Sequence, residues 1–156
     1  MTGPIIVDSN LLLLLIVGSA DRSYIKMHKN LNSDYTDDDF DFLGLIVSGF
    51  SDIILLPHIL AEVSSLARQI KRPAKSHIQM KLREMVEITT EIPIPSLLGV
   101  RRDEFDVFGL TDAVILHSCA TRFAELEITL LTADAKLANQ ANALGYSVLL
   151  YSDFFS

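Results

Sequence analysis

Four acidic residues stand at places where strands and helices could present them together: Asp8 after Ile5-Ile6-Val7, Glu62 five residues past Pro57, Asp112 after Gly109-Leu110-Thr111, and Asp134 after Thr132-Ala133. Asp8 closes a run of three branched apolar residues opened by Pro4, the pattern of a short buried strand ending in a polar turn. In open parallel α/β sheets the ligand crevice lies outside the carboxyl ends of the strands, so a carboxylate there points at the functional face. Asp134 follows Glu127-Ile128-Thr129-Leu130-Leu131 in the same way. Glu62 falls about one and a half turns into a helix, near the same edge, and Asp112 falls in the first turn of another. Gathered into one pocket, four carboxylates repel each other and need cations or proton uptake. Oxygen-only ligands select hard ions, Mg²⁺ or Mn²⁺, and no Cys/His spacing suggests zinc. One or two such ions can bind a phosphodiester, lower the pKa of a water for in-line attack and stabilise the leaving oxygen, with no nucleophilic side chain required.

Each acid also has a plain structural explanation. Asp8 or Ser9 could cap a helix beginning at Leu11. Asp112 could serve the dipole of its helix, which favours a negative charge and keeps the carboxylate ionised. Glu62 could be an exposed helical residue, with His58 on the same face at i, i+4 as a polar helix-start residue. The acids from Asp34 to Asp41 are explained by helix-terminus stabilisation behind Thr36, and Asp103, Glu104 and Asp106 read as solvated.

The elements that must position these residues alternate. Strands are expected over Ile5–Val7, Ile53–Leu56, Glu127–Leu131 and Tyr146–Tyr151, and helices from Leu11, from Thr36 towards Phe50, after Pro57, after Pro73, around Asp112 to about Arg122, and from Ala135 to Leu144 before Gly145. Ile88 to Val100, with Pro93 and Pro95, reads as an extended or edge segment. His117 is expected to pack rather than react. Crossovers too long for hairpins indicate a parallel sheet covered on both faces, hence a three-layer α/β/α fold.

The chain of 156 residues fits a single domain, 1–156, and its 49% hydrophobic content suffices for a core. A net charge of −7 argues against a protein that coats nucleic acid wholesale. Locally the balance reverses: Arg68, Lys71, Arg72, Lys75, Lys81 and Arg83 occur with no acid among them, as a solvated face or as a groove for a phosphate backbone directly following Glu62. The lone Cys119 sits in an apolar helical setting and allows no internal disulfide, consistent with an intracellular, cytoplasmic protein. Leu11 to Val17 lacks the basic flank of a signal peptide and the length of a membrane span, and is expected as a helix buried on most sides or partly covered by a partner chain.

Taken together, Ile5-Ile6-Val7-Asp8-Ser9-Asn10, Leu56-Pro57 through Ala61-Glu62, Gly109-Leu110-Thr111-Asp112-Ala113 and Leu131-Thr132-Ala133-Asp134 resemble, in order and spacing, the PIN-domain family of metal-dependent ribonucleases. The resemblance implies a Rossmann-like fold and assigns the family's catalytic, metal-binding cluster to Asp8, Glu62, Asp112 and Asp134, with Asn10 and Thr132 as supporting polar residues. It implies a Mg²⁺/Mn²⁺-dependent endoribonuclease, with Arg68, Lys71, Arg72 and Lys75 holding single-stranded or looped RNA. A compact chain of this kind looks most like the toxin of a prokaryotic toxin–antitoxin pair, which implies a homodimer and a small antitoxin, for which Leu11 to Val17 would suit as a surface. Lys136 departs from the pattern, because many members carry a further acid there. Two alternatives are a degenerate RNA- or protein-binding domain that has lost its metal, and a haloacid-dehalogenase-like phosphohydrolase, which needs a second Asp where Asn10 stands.

Overall fold

A computed structural model describes residues 3–155. In chain order the elements are β1 (Ile5–Val7), α1 (Ser9–Ala20), α2 (Tyr24–Met27), α3 (Asp37–Ser48), β2 (Ile54–Leu55), α4 (Pro57–Ala67), α5 (Ala74–Ile88), β3 (Thr90–Glu91), α6 (Ser96–Val100), α7 (Phe105–Phe108), α8 (Leu110–Cys119), β4 (Arg122–Phe123), β5 (Leu126–Glu127), β6 (Thr129–Thr132), α9 (Ala135–Ala143), β7 (Ser147–Leu150) and a terminal 3₁₀ turn, Tyr151–Phe155.

The sheet is parallel, as the long crossovers require. β6 lies between β1 and β7, with Ile5 opposite Thr129 and Val7 opposite Leu131. A parallel bridge from Ile5 to Ile53 leads on to the parallel pair β2–β3. Successive residues of a strand point to opposite faces, and every residue of β1 and β6 is buried, so both faces are covered. The fold is α/β.

α1 is the centre of the core. Its residues from Leu11 to Val17 are all buried, because α2, α3, α4 and α5 pack around it. This removes the expectation that Leu11–Val17 offers a surface to a second copy or an antitoxin: an apolar residue on each side of a helix signals burial all round. α3 approaches so closely that a Cβ added to Gly18 would clash with the Phe40 ring, 2.2 Å from its nearest carbon. Twelve residues make α1 too short to cross a bilayer. Among the described residues no helix is long and apolar enough to do so.

Elsewhere boundaries moved for identifiable reasons. The run Glu127–Leu131 is two strands, because Leu126 and Glu127 pair antiparallel with β4 across a turn in which Ala124 and Glu125 take positive φ. In the segment 88–100 Ile88 still belongs to α5, the exposed edge strand β3 follows, and Pro95 then opens the short helix α6. Glu104 is not solvated. It accepts from Arg102 Nε at 2.8 Å and from Gln140 Nε2 at 3.0 Å. Burial opposes its ionisation, yet these donors hold its pKa below the usual carboxylate value. The acids at the start of α3 are absorbed as expected: the Thr36 amide donates to Asp39 Oδ2 at 2.9 Å, the Tyr151 hydroxyl to Asp39 Oδ1 at 2.7 Å, and Arg22 pairs with Asp41.

Candidate active site

Adjacent parallel strands bring their carboxyl ends together, and this places the exits of β1 and β6 side by side. Asp8 follows Val7, Thr132 closes β6, and the Thr132 hydroxyl donates to Asp8 Oδ2 at 2.7 Å. Thr132 Oγ1 also accepts from the Asp134 amide at 3.0 Å, so one buried hydroxyl ties the two strand exits. Asp8 and Asp134 are the N-caps of α1 and α9, Asp8 accepting from the Ser9 amide and Asp134 from the amides of Lys136 and Leu137. Capping and site geometry therefore coexist in these two residues.

Glu62 reaches the same place from α4. It is an exposed residue, and its Oε1 accepts from the Ser9 hydroxyl at 2.7 Å. Asp112 enters from the first turn of α8, whose N-terminus has no side-chain cap. The four acids thus line one cleft of about 300 Å³, with Ser9, Asn10, Leu11, Leu66 and Ala133. No Lys, Arg or His is among those lining residues.

The electrostatics follow from that convergence. Burial raises the Asp8 pKa, the bonds from Thr132 and the Ser9 amide oppose it, and the charges of Glu62 and Asp134 push it up again. Among the described residues none donates a hydrogen bond to Asp112, and burial together with the charges of Asp8, Asp134 and Glu62 raises its pKa to about 7. The expectation that the helix dipole keeps Asp112 ionised is overturned: desolvation and three acid neighbours outweigh a dipole interaction worth at most ~2 kcal/mol.

No protein-family model matches the chain, and no curated protein does.

The remaining sequence-derived residues fall outside the acid cluster or on its rim. Asn10 is exposed and lines the cleft. Arg68 is the C-cap of α4, Lys71 and Arg72 are exposed in the turn to α5, and Lys75 is half-buried on α5. None of the four lines the cleft. Arg72 instead donates to Ser76 Oγ at 2.8 Å. The Lys136 side chain is exposed and also outside the lining. His58 turns to Ser96, with 2.7 Å between Nε2 and Oγ, rather than to Glu62. His28 is fully buried and its pKa is lowered by desolvation. The functional side chain that sequence reasoning passed over as a possible cap is Ser9. Adjacency to Asp8 was the available signal, but its partner lies 53 positions away.

The donor set is suited to a hard divalent cation: carboxylate oxygens, an excess of negative charge, and one carboxyl, Asp112, to which none of the described residues donates a hydrogen bond. Among the described residues, no three His, Cys, Asp or Glu side chains already stand close enough to hold an ion. Coordination therefore requires side chains to turn within the cleft, and Asp112 is the least restrained of the four.

Proposed function

We propose that this chain is a Mg²⁺/Mn²⁺-dependent endoribonuclease that hydrolyses RNA phosphodiester bonds in the acidic cleft. The observation that carries the reading is the convergence of Asp8, Glu62, Asp112 and Asp134, from four separate elements, on a cleft with no basic side chain in its lining. Such repulsion is costly to maintain without a cation. The chemistry a divalent ion supplies when bound is polarisation of the phosphodiester and activation of water. Asp8 and Asp134, tied through Thr132, give the cleft a rigid side on the sheet edge. Glu62 reaches in from α4, and Asp112, whose pKa is raised to about 7, can take up or release a proton at its carboxyl oxygens.

Arg68, Lys71, Arg72 and Lys75 supply the phosphate contacts in this reading. They cluster at the α4–α5 junction, within about 9–10 Å along the helix axis of Glu62 at the position of Arg68. Extending the family resemblance, the protein acts in the cytoplasm as the toxin of a toxin–antitoxin pair, with a small antitoxin and a second copy as partners. Leu11–Val17 is unavailable to either, being core.

The direct test is incubation of the purified chain with single-stranded RNA in Mn²⁺, in Mg²⁺ and in excess chelator. Cleavage is expected with either ion and none with chelator; no cleavage with either ion removes the proposal. A second reading, a domain that binds RNA or protein without cutting, is favoured by Lys136 and by the spacing of the acids, no three of which, among the described residues, stand close enough to hold an ion. It predicts RNA or protein binding with no cation-dependent cleavage. Lys71→Ala with Arg72→Ala is expected to weaken RNA affinity and to reduce the slope of log K against log salt by about 1.4, at about 0.7 per contact to a single strand. Filter binding at several salt concentrations measures this, and an unchanged slope assigns the basic cluster to a solvated face.

A further inference from the structure

We propose that the surface holding single-stranded RNA is built from two separate chain segments, with Lys29 standing beside Arg68, Lys71 and Arg72 as a further phosphate contact. The inference rests on the proposed RNA-cleaving function and adds a residue to it. Two stretches of this acidic chain contain no acid: Arg22 to Ser33, with Arg22, Lys26 and Lys29, and Val63 to Arg83, with the basic cluster. Tertiary packing clamps them together at three points. Tyr24 Oη lies 2.6 Å from His77 Nδ1 with the rings stacked, and Asn30 Nδ2 donates to Gln69 Oε1 at 2.8 Å across 39 positions of chain. Between these, the ring of the fully buried His28 lies against the Leu66 and Ala67 carbonyls that end α4. Lys29 sits between two of the three clamps. Its Cα is about 3.8 Å from those of His28 and Asn30, so its backbone is held at the α4–α5 junction, and its side chain is exposed there.

Pairing sorts the cations of the two stretches. Arg22 is bound to Asp41, and Lys81 to Glu84 at 3.2 Å. Lys26 lines a cavity with Asp37 and Asp38 at the head of α3. Among the described residues no carboxylate pairs with Lys29, Arg68, Lys71 or Arg72. Like charges gathered on one surface repel, and here no acid relieves them. A polyanion relieves them and releases its own counterions in doing so. The ridge also leads to the cleft, because Leu66, against which His28 packs, is part of the cleft lining. Single-stranded RNA is the polyanion that the proposed reaction consumes, and its backbone is flexible enough to follow the ridge.

The test is fluorescence anisotropy of labelled oligouridylate with the full chain at several salt concentrations, in excess chelator so that binding is read without cleavage. Lys29→Ala is expected to reduce the slope of log K against log salt by about 0.7, which is about fivefold in affinity at about 0.1 M salt. Added to Lys71→Ala with Arg72→Ala, it should bring the total reduction to about 2.1. Lys29→Arg is expected to keep the wild-type slope, whereas Lys29→Gln, long but uncharged, is expected to behave as the alanine variant. Lys26→Ala, beside its acids, should change affinity less than about twofold. A wild-type slope in Lys29→Ala overturns the inference and spares the proposed function. A loss of equal size in Lys26→Ala reduces the effect to net charge and overturns it as well. No RNA binding by the wild-type chain also overturns it, and Mn²⁺-dependent cleavage decides separately whether the proposed function falls with it.

Discussion

Asp8→Asn is expected to reduce cation-dependent RNA cleavage by about a thousandfold, the scale of losing a principal transition-state stabiliser, while leaving the fold intact. Asp8 lies at the centre of the site's hydrogen-bond chain, accepting from the Ser9 amide at 2.7 Å and the Thr132 hydroxyl at 2.7 Å. Asparagine keeps the shape and the oxygen that faces the Ser9 amide. Thr132 can rotate its hydroxyl to accept from the new amide, because a hydroxyl oxygen has two lone pairs and only one is used by the Asp134 amide. The charge, and with it the donor strength towards a hard cation, is lost. Removing one of four neighbouring negative charges also relieves repulsion, so the melting temperature in chelator is expected to hold or rise. A gel assay on labelled single-stranded RNA with Mn²⁺, run beside thermal denaturation, measures both. Cleavage at the wild-type rate by a folded variant ends the role given to Asp8.

Asp112→Asn is expected to stabilise the cation-free protein, and only above acidic pH. The folded-state pKa of Asp112 is about 7, whereas an unfolded aspartate titrates near the model value of 3.8. Between those values the unfolded chain has released this proton and the folded chain retains it. The unfolded state then binds fewer protons, so stability falls as pH rises through the window and levels off above the folded pKa. Discounted for the screening of a half-buried group, the full penalty is on the order of 2 kcal/mol, or about 5 °C in melting temperature. The variant should melt higher than the wild type by that amount near pH 8 and equally near pH 4. His28, neutral and buried, has the opposite dependence, losing stability as pH falls, but it is common to both proteins and cancels in the difference. Mn²⁺ should raise the wild-type melting temperature more at pH 8 than at pH 5.5, because binding there does not compete with the proton. A melting difference independent of pH rules out the coupling of Asp112 to its acid neighbours.

Much of the fold could be read directly. Ile5-Ile6-Val7 is strand because three branched apolar residues between a proline and a polar triplet have few other places to go, and β1 is buried throughout. Thr36 with three following acids opens α3, and Gly145, at positive φ, follows α9. These are local signals, complete within one turn or one strand. Leu11–Val17 was ambiguous for the same reason, since a run apolar on every side reveals burial without revealing what covers it. The neighbours that cover it come from α2 to α5.

The chain order and residue types by themselves determined that acids stand at two strand exits, in one helix and at the head of another. Tertiary structure alone decided that these acids share a cleft, that Thr132 and Ser9 connect them, that the Asp112 pKa is pushed up to about 7, and that the basic cluster stands apart from the lining. The physical reason is distance along the chain. Capping, periodicity and strand ends are settled between near neighbours, whereas the bonds that organise the cleft join residues 53 and 124 positions apart. Their existence depends on the parallel register of β1 against β6 and on where α4 comes to rest against α1.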